Sequence, residues 1–392
     1  MAPPIHGRAA LPRFLLLYAA LYAAFGVGSP FLPALLAGRG LGPQAIGLVL
    51  AAGRAVRLLA GPAAGRAADR LASGRTVLAG CAAGAALVAL GYLPARGLWP
   101  LLAIGVLHAA LLAPLAPLAD ALALGTAAGP QVGAGRGFDY GWVRGAGAGA
   151  FILGSVLAGQ AISRAGIDMV IGLHVPLLAV TAVSVFGIPR LPRPVAAGTC
   201  APEGHGGLGT LLHIPLFRRL MVVAALVEGS HALHDSFAVL RWGAAGIGPS
   251  VAGLLWSEAV AAEVLVFLLL GRPLLDRLGP AGASALAAGA GALRWAVSAE
   301  TAWLPAIALI QPLHGLTFAL QHLASMRLLA QIVPPRLAAT ALTCYATLGV
   351  GAATTLLTLA AGPLYAHVGP RGFWVMSALC AAALPLSRGL RR

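Results

Sequence analysis

The chain has 392 residues, of which 59% are hydrophobic and only 9% charged, against roughly 25% charged in a soluble domain. Too few solvated side chains remain to cover a globule of that size, so an ordinary soluble protein is excluded. The formal net charge of +15 comes from 26 arginines and no lysine, but no clustered basic face on a soluble module accompanies it, which argues against nucleic acid as a partner.

A helix needs about 20 mostly apolar residues to cross the hydrocarbon core of a bilayer. Such stretches run over about 12–37, 44–65, 76–94, 98–124, 138–162, 169–188, 214–240, 249–271, 281–299, 303–331, 338–362 and 371–387. The first comes after Arg8 and Arg13 and imitates a signal peptide. A second span succeeds it at once, so it reads as an uncleaved first helix. Cys81, Cys200, Cys344 and Cys380 lie far apart without metal-ligand spacing, so neither a disulfide framework nor a metal site is expected.

The arginines orient these spans, because cytoplasmic loops carry the excess of positive charge. With the N-terminus inside, the inner regions hold seventeen arginines and the outer loops five, namely Arg39, Arg96, Arg164, Arg241 and Arg371. This implies a multi-pass protein of the inner (plasma) membrane with both termini cytoplasmic. The longest polar break splits the chain into an N-terminal six-helix bundle at 1–188, a central cytoplasmic loop at 189–213 and a C-terminal six-helix bundle at 214–392. The expectation is therefore an all-α membrane protein of twelve transmembrane helices in two pseudo-symmetric halves, the pattern of a transporter with a midplane site.

Between spans 2 and 3 stands Gly65-Arg66-Ala-Ala-Asp69-Arg70-Leu71, and between spans 8 and 9 Gly271-Arg272-Pro-Leu-Leu-Asp276-Arg277-Leu278. An aspartate at a helix end beside arginines can latch neighbouring helices on one membrane face, which makes Gly65, Asp69, Arg70, Asp276 and Arg277 gating candidates. Balancing of positive-inside charge is the plainer alternative. These loops resemble the inter-helix signature of the major facilitator superfamily. Pro30-Phe31-Leu32-Pro33, Gln44-Ala-Ile46-Gly47, Asp139-Tyr140-Gly141 with Arg144, Glu228-Gly229-Ser230-His231, Leu255-Trp256 with Glu263, and His314-Gly-Leu-Thr317-Phe318 resemble its branch of 3-phenylpropionic acid transporters. That branch is related to the lactose permease and nucleoside–proton symporter branches. The resemblance implies the major facilitator fold and a transport function over nearly the whole chain. It departs at Trp142 and Ala146, where an arginine and a tryptophan are expected, and at Leu233-His234-Asp235, where aromatics are.

Ionisable groups at membrane depth are costly, by at least ~2.5 kcal/mol each on insertion scales, and so mark functional candidates. Arg54 and Arg57 share a face of span 2, and Arg144 lies in span 5 with Asp120 of span 4 as its acidic partner. The fork of an arginine left unpaired at depth suits a carboxylate, and Arg54, the deepest, leads as the anion site, with a structural pair to an acid of the other half as its alternative. Gly141, Gly145 and Gly149 repeat every four residues and read as a close-packing face. On span 7, Glu228, His231 and Asp235 fall on one helical face, a carboxylate–imidazole set able to exchange protons. On span 8, Trp256 and Glu263 share a face, the ring offering a stacking surface and the acid a proton site; Glu258 points elsewhere, toward Arg294. On span 10, Gln311, His314, Gln321 and His322 form a polar stripe for substrate or proton contact, His322 tuning Glu263. The alternatives are permanent pairing with membrane arginines for the span 7 acids and static helix-to-helix hydrogen bonding for the span 10 stripe.

No nucleophile elbow, metalloprotease helix or phosphate-cradling loop is present, so neither an enzyme nor an ATP-driven pump is indicated. The reading is a secondary transporter taking a small organic solute, an aromatic or other carboxylate, with protons by alternating access. A drug or metabolite efflux antiporter and a sugar or nucleoside symporter are the alternatives. Expected partners are the solute, protons and the lipid bilayer, for a monomer without cofactor.

Overall fold

The computed structural model describes residues 7–127, 138–189 and 207–391. The expected central loop lies mostly outside these residues, as do Cys200, Arg136, Arg190 and Arg193. Among the described residues there is no strand. Among the described residues, eight helical stretches are long and apolar enough to cross a membrane, two of them of 52 and 54 residues. The chain forms two compact units, Met1–Leu41 with Ala52–Ala197, and Gly42–Ala51 with Gly198–Arg392.

The first unit contains α1 (Gly7–Gly38), most of α2 (Pro43–Arg70), α3 (Gly74–Leu90), α4 (Leu98–Leu112), α5 (Leu115–Ala127), α6 (Tyr140–Ala165) and α7 (Met169–Gly187). Its core gathers Phe14, Leu17, Leu21, Leu78, Leu115 and Leu178, all fully buried. Without a hydrophobic drive inside lipid, helices associate by close backbone approach over small residues. The crossing of α1 and α6 shows this: a Cβ on Gly154 would lie 2.5 Å from the Ala23 carbonyl, and one on Gly26 would overlap Phe151. Ser155 Oγ donates to the Gly26 carbonyl at 2.9 Å across the same crossing. The expected glycine face is corrected here. Gly145 and Gly149 meet nothing within 4 Å, and the packed glycines of α6 are Gly147 and Gly154. Four-residue spacing names a face but not the face that carries the partner helix.

The second unit contains α8 (Gly207–Leu212), α9 (Pro215–Gly229), α10 (Ala232–Ala244), α11 (Pro249–Leu265), α12 (Gly271–Glu300), α13 (Leu304–Ile310), α14 (Gln321–Ile332), α15 (Ala338–Cys344), α16 (Ala352–Val368) and α17 (Phe373–Arg388). Three π-helical segments interrupt it, at Val266–Leu270, Gly315–Leu320 and Tyr345–Gly351. Such wide turns shift the register of everything after them and tend to sit at functional positions. Gly279, with φ +67°, breaks α12 just after the Asp276-Arg277-Leu278 loop.

One device recurs in the two units. Arg13 of α1 donates to the carbonyl of Gly187 at 2.8 Å, and Arg219 of α9 to that of Gly389 at 2.5 Å. Each guanidinium satisfies a carbonyl orphaned at the end of the unit's last long helix and sits at its negative dipole end.

Candidate functional site

A polar cluster of the second unit is built around Arg294 of α12, which is wholly buried. Its Nη1 lies 3.1 Å from His314 Nδ1, its Nη2 donates to Gln311 Oε1 at 3.2 Å, and its guanidinium stacks 4.5 Å over Trp295. Gln311 is fixed at its other end, where Nε2 donates to the Leu255 carbonyl at 3.1 Å. A guanidinium can only donate, so His314 Nδ1 must accept and the neutral ring carries its proton on Nε2. Nε2 in turn lies 3.4 Å from Glu263 Oε2. A chain therefore runs from a permanent cation through an imidazole to a carboxylate.

His231 sits beside it, its ring 5.3 Å from that of His314. Its Nδ1 lies 3.1 Å from the Glu228 carbonyl and its Nε2 2.9 Å from Thr317 Oγ1, which reaches the His314 carbonyl at 3.2 Å. A neutral His231 leaves Thr317 one proton for two acceptors, whereas a second ring proton would satisfy every group in the chain. Glu228 is buried, and its Oε1 accepts from Tyr345 at 2.7 Å. Asp235 lies 3.6 Å from His234, whose ring stacks on Trp256 at 5.1 Å.

Several expected groupings are not those observed. Glu263 makes its close pair with His314, while His322 feels the Glu263 charge without a hydrogen bond to it and packs against the rings of Phe267 and Tyr345. Gln321 turns away as well and donates to Ser325 Oγ at 3.2 Å. The cause is the π segment Gly315–Leu320, because each residue added to a turn rotates the remainder of the helix by about 100°. Gln311 and His314 precede it and share a partner; Gln321 and His322 come after it and do not. A turn at Ser230 and His231 divides the expected span 7 set, with Glu228 in α9 and Asp235 in α10, while the charge of Asp235 still reaches His231. Glu258 is not a partner of Arg294, which is engaged by His314 and Gln311.

In the first unit the expected pair forms. Arg144 of α6 lies 3.8 Å from Asp120 of α5, hydrogen-bonds Tyr22 and stands 5.2 Å from that ring. Tyr18 donates to Asp120 Oδ1 at 2.5 Å. The guanidinium is thus held from one side while its side chain stays half-exposed. Arg54 is half-buried on α2. Neither tyrosine stands out in the sequence; their spacing, four residues apart in span 1, is the signal that could find them.

At the loops, Asp276 pairs with Arg327 of α14 at 2.5 Å and with Arg272 at 3.9 Å. Asp69 and Arg70 are exposed at the end of α2, and Gly65 has open space around it. Among the described residues, no group of three or more His, Cys, Asp or Glu side chains is placed to hold a metal ion.

Set beside known proteins, residues 11–376 match the model of the MFS_1 like family. The chain is 31% identical over 378 residues to the "Probable 3-phenylpropionic acid transporter" of Escherichia coli (strain K12), covering 94% of each chain. It is 23% identical over 361 residues to the "Uncharacterized transporter YwbF" of Bacillus subtilis (strain 168), covering 89% of this chain and 85% of that one. In fold it resembles the nucleoside transporter NupG with a TM-score of 0.82 at 15% identity, over 97% of each chain. It likewise resembles a bacterial homologue of the human lysosomal transporter Spinster, with a TM-score of 0.71 at 14% identity, over 100% of this chain and 98% of that one.

Proposed function

The chain belongs to the MFS_1 like family, and on that premise we propose that it imports a small aromatic or related carboxylate together with protons by alternating access. The family and the curated relatives are transporters, so the chain is a transporter and not an enzyme. The substrate class in the proposal is taken from the relative at 31% identity. We further propose twelve crossings in two halves of six, with both termini cytoplasmic, in an inner-membrane monomer. The stretches of 52 and 54 residues are each long enough for two passes, and Gly74–Leu90 and α9 with α10 supply two more beyond the other six.

The observation that carries the coupling is the chain Arg294–His314–Glu263. An ionised Glu263 is tolerated while His314 relays it to the guanidinium, and a protonated Glu263 needs no such partner. The acid can therefore change charge without leaving a bare ion at depth. His231, Glu228 and Asp235 extend the set of proton-exchanging groups. Arg144 and Arg54 take the carboxylate, Arg144 with its fork pre-positioned by Tyr22 and Asp120. Trp256 supplies a ring, and Gln311 and Gln321 orient their neighbours. Asp276 with Arg327, and Gly65, Asp69, Arg70 and Arg277 in the paired loops, gate.

Uptake by proteoliposomes under an imposed pH gradient tests this, across a panel of aromatic acids, nucleosides and sugars. Accumulation of an aromatic acid that collapses with the gradient is expected. Accumulation of nucleosides or sugars alone, or gradient-driven extrusion, would replace the reading by one of its alternatives.

A further inference from the structure

The far end of α12 from Asp276 carries a second polar site that the proposed transport scheme does not use. Arg241 in the last turn of α10, Glu300 at the end of α12, His367 in the last turn of α16 and Arg371 in the turn before α17 line an open pocket of about 550 Å³. Val368 and Pro370 add an apolar wall.

The charges do not cancel. Two guanidiniums face one carboxylate, so with His367 neutral the lining carries +2 − 1 = +1. Part of the acceptor capacity of Glu300 is already spent, since its Oε1 accepts from Trp374 Nε1 at 2.7 Å. His367 Nδ1 donates to the Pro363 carbonyl at 2.7 Å, which fixes that ring. Arg241 is buried, with its guanidinium 5.5 Å from the Phe373 ring, Glu300 as a partial countercharge and its Nη1 without a hydrogen-bond partner among the described residues. Burying a guanidinium with an unmet donor is unfavourable unless something else answers the charge. Arg371, by contrast, is exposed and free to close on a ligand.

We propose that this pocket is an anion vestibule of the second unit: it binds the carboxylate of a small organic acid between Arg241 and Arg371, with the acid's apolar body on Val368 and Pro370, and hands it on for transport. The inference rests on the carboxylate reading of the function. A net positive, apolar-walled concavity raises the local concentration of an organic anion and speeds its capture, an effect that falls with ionic strength. The same chemistry would accept the phosphate of a lipid headgroup, so the test separates the two.

Initial uptake of 3-phenylpropionate is measured in proteoliposomes of phosphatidylcholine, with and without phosphatidylglycerol, at low and high salt, for wild type, Arg371→Gln and Arg371→Lys. The expected result is that Arg371→Gln raises KM roughly three- to fivefold at low salt with kcat unchanged. High salt should erase the difference, Arg371→Lys should restore most of it, and lipid composition should not matter. A wild-type KM for Arg371→Gln at low salt, or a loss confined to kcat, overturns the vestibule while leaving carboxylate transport intact. A defect seen only with phosphatidylglycerol overturns it in favour of a lipid site. Should wild type carry only uncharged solutes, the transport reading fails on its own; the vestibule then stands if 3-phenylpropionate inhibits that uptake in wild type and not in Arg371→Gln, and falls otherwise.

Discussion

Asp276 of α12 and Arg327 of α14 meet at 2.5 Å, whereas Asp69, the aspartate of the matching loop, has no ion pair among the described residues. The two loops read alike, yet only one is closed within its own unit. In the first unit the acid of span 4, Asp120, is engaged by Tyr18 and Arg144.

Asp276→Asn should therefore lower stability only slightly, by about 0.2–1 kcal/mol for a half-exposed pair, and should slow turnover. Asp69→Asn should leave thermal stability unchanged and slow turnover alone. Melting in detergent and uptake rates of the two purified variants decide it. Wild-type turnover in both removes the gating role.

Helix contact in the first unit gives a sharper test. Gly26→Ala places a methyl group into the backbone of Phe151 and should sharply reduce the yield of folded protein. Gly149→Ala meets open space and should be accepted. Size-exclusion profiles of the two variants compare them, and equal behaviour would overturn the packing assignment.

Tyr345→Phe removes the donor that holds Glu228 Oε1 at 2.7 Å in a buried site. Leaving that acceptor unsatisfied should cost about 1–3 kcal/mol, seen as a lower melting midpoint with the fold retained. An unchanged midpoint means that another donor reaches Glu228.

The membrane character and the arginine-paired aspartate of span 4 were legible in the sequence because each derives from composition or from one short separation. Which side chains meet across helices was less so. A uniform turn of 100° per residue put Gln311, His314, Gln321 and His322 on one stripe, and a single π segment after His314 divides it. Nothing in Gly315–Leu320 announces that wider turn locally; it is set by close packing, since a Cβ on Gly315 would lie 2.5 Å from the Ala262 carbonyl. Arg294 was visible as a charge at depth, but its role as the hub depends on Gln311 and His314 arriving from a different helix.

Reporter fusions after Gly40 and after Gly206 test the proposed orientation. They should report opposite sides of the membrane, with Gly206 inside, because seventeen loop and terminal arginines favour that side over five. Signals from the same side would remove the six-plus-six arrangement.

The coupling proposal makes the strongest demand on the second unit. Glu263 and His314 stand 3.4 Å apart, and His314 is held by Arg294 on its other nitrogen. Glu263→Gln keeps a hydrogen-bonding group there but cannot change charge, so it should abolish uphill, pH-driven uptake and spare substrate exchange, which needs no net proton movement. His314→Gln should behave in the same direction, because it cuts the relay to Arg294. His322→Gln should weaken coupling less than His314→Gln, since its ring packs with Phe267 and Tyr345 and senses Glu263 only through its charge. Accumulation ratios and counterflow rates for the three variants separate these outcomes. If Glu263→Gln still concentrates substrate against its gradient, the proton travels elsewhere, and Glu228 or Asp235 takes its place.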